Sequence, residues 1–140
     1  MKIQLLSAAT ATNSAPTAGT ATVGFPLKGA AFTGQAHGVP NAGEAALSLK
    51  STAGSGTMTV TIKIWVWVDA MSEWVPLGSH ATASLKGVIN EGNAIGEVAA
   101  NSLLHTELVS GLQHFGRIYA EITAIGGTST AVDLWVHGAY

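Results

Sequence analysis

The chain has 140 residues, of which 47% are hydrophobic and only 10% charged, with a formal net charge of −2. That length buries one real core, and six scattered cations exclude the clustered charge that nucleic-acid binding requires. With no cysteine, disulfide staples and thiolate chemistry are excluded, and no apolar run approaches the roughly 18–20 residues of a membrane-spanning helix.

The charged content lies well below the roughly 25% of a typical soluble domain. Its surface must therefore be wetted by Thr, Ser and Gly, or be covered by neighbouring subunits. Residues 1–10 open with Lys2 and small or apolar side chains, as a secretion signal does. Gln4 and Ser7 interrupt that stretch, so an alternating strand is the better reading and no signal peptide is expected. Residues 8–43 are rich in Ala, Thr and Gly and contain Pro16, Pro26 and Pro40. Such a segment buries little apolar area and needs an external source of order. Neighbouring chains are the favoured source over its own domain, with residues 21–25 and 31–32 as apolar anchors. The domain reading is an extended N-terminal arm with short strands over 1–43, followed by a β-sandwich over 44–140.

Residues 44–50 alternate and break at a turn cluster, 51–56. Over 57–68 the period is two: Met58, Val60, Ile62, Ile64, Val66 and Val68 face one way. Thr57, Thr59, Thr61, Lys63, Trp65 and Trp67 face the other. Dominance of β-branched residues makes this a strand. Residues 69–73 turn the chain into a second strand at 74–78, and 84–90 reads as a third. Residues 97–109 fit either a helix, with Ala100, Leu103, Leu104 and Leu108 on one side, or a strand, and Gly111 ends them either way; the favoured reading is one short helical turn followed by a strand. Two further alternating runs, 117–125 and 131–137, flank Gly126-Gly127-Thr128 and predict a β-hairpin. Regular strands without βα alternation predict an all-β chain, an antiparallel β-sandwich or jelly roll with an extended Ala/Thr/Gly-rich N-terminal segment.

Catalytic chemistry is sparse. Glu121 and Asp133 would be near neighbours across the predicted hairpin, on its more polar face. A glycosidase needs two such carboxylates across a cleft, but a solvated or interface pair is the plainer reading. His37, His80, His105, His114 and His137 show no HxH, HxxxH or HExxH spacing, so no local metal motif exists. A nucleophile elbow, a P-loop and a dinucleotide fingerprint are also missing. The expectation is a non-enzyme with no catalytic residue, no cofactor and no metal.

The aromatic residues carry more information. Trp65 and Trp67 share the non-core face of the long strand. Arg117 and Tyr119, and likewise Trp135, lie opposite the aliphatic faces of the last two runs. Trp65, Trp67, Arg117, Tyr119 and Trp135 are therefore the candidate interface or ligand face. Three readings stand: the outer face of a sandwich partly covered by loops, a subunit interface rich in Trp, Tyr and Arg, or a platform on which sugars stack.

Residues 57–137 carry a series of elements: Trp65-Val66-Trp67-Val68-Asp69, Trp74-Val75-Pro76-Leu77-Gly78, Arg117-Ile118-Tyr119, Gly127-Thr128 and Leu134-Trp135-Val136. This series resembles small bacteriophage virion proteins of β-sandwich type. The resemblance implies a structural virion protein, in particular a capsid decoration (cement) protein that binds the shell surface and stabilises it through inter-subunit contacts. It implies the major capsid protein or other virion proteins as partners, a homo-oligomer such as a trimer, no nucleic acid, no membrane, and a place in the virion after assembly in the host cytoplasm. The alternative is a carbohydrate-binding or adhesion module of a phage tail or fibre, which requires Trp65, Trp67 or Trp135 exposed and in line.

Overall fold

In the computed structural model the described residues are 2–27, 45–52, 54–77, 102–109 and 111–138. They form eight strands: β1 (Lys2–Ala9), β2 (Phe25–Pro26), β3 (Ala45–Thr52), β4 (Ser55–Val68), β5 (Glu73–Pro76), β6 (Ser102–Val109), β7 (Arg117–Thr128) and β8 (Ala131–His137). One 3-10 turn, Leu112–His114, precedes β7. Two four-stranded antiparallel sheets result, ordered β1-β8-β3-β6 and β2-β7-β4-β5. The chain is an all-β sandwich, as its alternation predicts.

Period-two alternation places the core. From one sheet come Leu47, Leu49, Val132, Leu134 and Val136. From the other come Val60, Ile62, Ile64, Val66, Ile118 and Ile122, and all eleven are almost completely buried. Removing this aliphatic surface from water at about 25 cal/mol per Å² is the main force closing the two layers. The strands expected at 57–68 and 74–78 pair as the β4–β5 hairpin, Val66 with Val75 and Trp67 with Trp74. Residues 102–109 are strand, as the second half of the 97–109 reading holds, and Gly111 follows with a left-handed φ of 84°. The expected strand at 84–90 and the helical turn before residue 102 lie outside the described residues.

One expectation is corrected. Residues 117–125 and 131–137 do not form a hairpin, because β7 pairs with β4 and β2 while β8 pairs with β1 and β3. Alternation reports which face of a strand is apolar, not which strand lies beside it. The long β7 finds its length matched in β4, and β8 matches β3 from Ala46↔His137 to Thr52↔Ala131. The chain instead changes sheets between Thr128 and Ala131, where Thr130 is buried and its Oγ1 donates to the Gly126 carbonyl, 2.6 Å. The β3-to-β4 connection changes sheets beside it, and Gly54 N–H donates to the Thr128 carbonyl, 2.8 Å. Two corners thus brace each other.

The described part of the N-terminal segment lies on its own sandwich. β1 is an edge strand of the first sheet and β2 an edge of the second. Gly24, just before β2, has φ +73°, and a Cβ there would run into the Ile118 carbonyl oxygen. Only glycine allows so close an approach of this segment to β7 at that φ. Leu27, completely buried, continues the attachment by donating its N–H to the Gly116 carbonyl, 2.9 Å.

Candidate functional site

β4, β5 and β7 turn a second face outward, away from the aliphatic core. Register sets Lys63 beside Glu121, Trp65 beside Tyr119, and Trp67 between Arg117 and Trp74. Four of the five candidate residues, Trp65, Trp67, Arg117 and Tyr119, therefore share one surface. Trp135 does not: β8 belongs to the other sheet, so its indole lies on the opposite outer face, and the three candidate tryptophans form no single row. Glu121 and Asp133 are separated in the same way and do not share a cleft.

Residues 13–24 cross this aromatic face as a strap. The strap begins at Asn13, whose N–H donates to the Ile122 carbonyl (3.3 Å) and whose Oδ1 accepts from the Ile122 N–H (2.6 Å). Its Nδ2 donates to the Ala120 carbonyl at 3.1 Å and to Tyr119 Oη at 3.2 Å. β2 pairs only with Arg117 and Ile118, so Asn13 takes the place of a partner strand along the remaining edge of β7. Tyr119 Oη then donates to the Ser14 carbonyl, 2.7 Å.

At the far edge of the sheet, Gly19 N–H donates to Glu73 Oε1 (2.7 Å) and Trp74 Nε1–H donates to the Thr20 carbonyl (2.6 Å). The strap returns over Arg117, whose Nε and Nη2 donate to the carbonyls of Val23 and Gly24, at 2.8 and 3.1 Å. Under it, Trp74 packs edge-on against Trp67 (centroids 5.6 Å apart) and Tyr119 (6.2 Å). Trp67 and Trp74 are consequently only 8% and 5% exposed, although both stand on the outer face. The described part of this segment is tied to its own domain, where the outward Trp, Tyr and Arg donors find their acceptors in its backbone.

Trp65 stays half-buried at the strap's margin. Its Nε1–H donates to Glu121 Oε1 at 2.9 Å, and Lys63 Nζ lies 4.6 Å from its ring centroid. No family model, curated protein or solved structure matches the chain. Among the described residues no group of His, Asp and Glu is arranged to hold a metal ion, and no helix is long and apolar enough to cross a membrane.

The opposite outer face carries Trp135 with different company. Ser48 Oγ is hydrogen-bonded both to His137 Nε2 and to Thr106 Oγ1, each at 2.8 Å. Lys2, Ser48, Trp135 and His137 line an open depression of about 430 Å³. Asn13, Thr20, Glu73, Trp74 and Ser48 are site residues that sequence reasoning missed. Trp74 alone had a signal, since pairing it with Trp67 follows from the short turn between β4 and β5.

Burial, and secondarily the Glu121 carboxylate, raise the Tyr119 phenol above its usual 10.0. The unfolded chain therefore ionises first as pH rises. The stability held by the neutral phenol is fully present below about pH 10 and is lost as pH climbs through the folded value. Ionisation also removes the proton donated to the Ser14 carbonyl. Chemical denaturation between pH 8 and 11 is expected to fall less steeply for Tyr119→Phe than for the wild type; identical slopes would contradict the assignment.

Proposed function

We propose that the chain is a structural protein of a virion, a capsid decoration (cement) protein that acts by binding and not by catalysis. The strap is the observation that carries this reading. No charged residue lies between Lys2 and Lys28, and from Thr10 to Thr22 every side chain is exposed except the half-buried Pro16. The result is a neutral surface of Ala, Thr and Ser, tied to β5 and β7 by hydrogen bonds at Asn13, Ser14, Gly19 and Thr20. A pre-ordered surface loses little conformational entropy on docking, and a surface without charges carries no ionic desolvation penalty.

In this reading the outside of the strap faces the shell, where the partners are the major capsid protein or other virion proteins. Many symmetric copies, self-associated as trimers or another homo-oligomer, would each add interface free energy to the shell. The aromatic residues beneath then serve the interface indirectly, by holding the strap.

Co-sedimentation with empty phage capsids, with the mass of the free chain by light scattering, tests the proposal. Wild type is expected to bind in fixed stoichiometry. An Ala15→Glu, Ala18→Glu double variant, altered only at exposed strap positions, is expected to keep its circular dichroism and lose about tenfold or more in occupancy, because each new carboxylate would be buried unpaired. Undiminished occupancy by the double variant, or a monomer that decorates no shell, would overturn it.

A further inference from the structure

We propose that the depression around Trp135 is a binding site for an acidic saccharide, on the sheet opposite the strap and independent of shell docking. β8 sets Trp135 between Gln4 of β1 and Ser48 of β3, and His137 between Lys2 and Ala46. Four chemically different groups thus converge on one open concavity of about 430 Å³, within the size range of small-ligand sites.

Among the described residues, neither the Trp135 indole N–H nor the Lys2 ammonium has a hydrogen-bond partner or ion pair, whereas Trp74 and Trp65 both donate within the chain. A half-buried indole offers an apolar ring face and one donor at its edge. The apolar face of a pyranose ring stacks on such a surface, and its hydroxyls match the indole N–H and the Ser48–His137 pair. The charge balance selects the acidic class. Asp133, the carboxylate of the same strand, has Oδ1 occupied by the Ala8 N–H (2.9 Å) and Gln4 Nε2 (3.3 Å). Asp133 also has Lys50 as its cross-strand neighbour on β3, whereas Lys2 is the cationic side chain among the described residues that line the depression, and a uronate carboxylate is its complement. A nucleic acid is the poorer fit, because a single lysine in a chain of net charge −2 does not neutralise a run of phosphates.

The test is an NMR titration of the intact chain with a glucuronate-containing trisaccharide and its neutral glucose counterpart, read at the Trp135 indole N–H resonance. The acidic sugar is expected to shift that resonance saturably and to bind severalfold more tightly than the neutral one. Lys2→Gln, at an exposed position, is expected to abolish the preference while leaving the fold intact. Trp135→Phe, which keeps a ring but no N–H, is expected to weaken binding of both sugars, followed at the His137 amide. No shift at Trp135 with either sugar would overturn the proposal. So would a preference that survives Lys2→Gln, or a shift given only by an oligonucleotide. Shell binding by the wild type would stand or fall separately, because its surface lies on the other sheet.

Discussion

Trp74→Ala is expected to be the most damaging single change outside the aliphatic core, costing about 3–5 kcal/mol of stability. An outward-facing residue on a short edge strand ordinarily changes stability by less than about 0.5 kcal/mol. Trp74 differs because the strap makes a second, smaller core of the outer face: the ring is 5% exposed and meets Trp67 and Tyr119 edge-on. Each such aromatic contact adds about 0.5–1.5 kcal/mol beyond burial alone. Truncation also orphans the Thr20 carbonyl, which accepts the indole N–H at 2.6 Å. Urea denaturation gives the cost, and limited proteolysis should show new cleavage between residues 10 and 24. Trp74→Phe should recover most of the packing and lose about 1 kcal/mol for the missing donor. A midpoint unchanged in Trp74→Ala would mean that the strap does not seal this face.

Asn13→Ala should be nearly as costly, although the residue is exposed and sits in a segment without regular structure. Its side chain makes three hydrogen bonds to β7, and removing it leaves the Ile122 N–H without its acceptor next to a side chain that is almost completely buried. A buried donor left unsatisfied costs about 1–3 kcal/mol. The change also uncovers the edge of β7 beyond Ile118, and an open edge is a template for pairing with another chain. The expected phenotype is lower stability by urea denaturation together with concentration-dependent association in sedimentation. Asn13→Asp, which retains the acceptor for Ile122 but not the donor for Ala120, should fall between the two. Wild-type stability in Asn13→Ala would refute the edge-closing role.

The contrast between these two positions marks what was legible in the sequence. Where one face of a strand is apolar and the other polar, period-two alternation states it, and β4, β7 and β8 were readable with their buried faces, β5 only as a strand. The same alternation placed Trp65, Trp67, Arg117 and Tyr119 together on an outer surface. It could not assign β7 and β8 to different sheets, since a change of sheet leaves each strand's own pattern untouched, and so Trp135 was grouped with the wrong face.

The strap was illegible for a different reason. Its acceptors at Ser14, Thr20, Val23 and Gly24 are backbone carbonyls, which every residue has, and only the donors Tyr119, Trp74 and Arg117 carry a side-chain identity. Asn13 mimics a strand partner through its amide, and an isolated asparagine in an Ala/Thr/Gly-rich stretch carries no periodic signal. Composition did register the consequence: an uncharged surface is what remains when a segment is ordered by its backbone instead of by a face of its own.

Amide hydrogen exchange at Ile122 tests the central claim most directly, that the chain's own N-terminal segment closes the aromatic sheet. The Ile122 N–H points away from β4 and is held by Asn13 Oδ1 at 2.6 Å. With the strap in place it should exchange as slowly as the amides of the β4 core strand, and Asn13→Ala should accelerate it while leaving the protection of β4 in place. Fast exchange at Ile122 in the wild type, with β4 still protected, would show that the strap is not bound in solution and that the aromatic face is open.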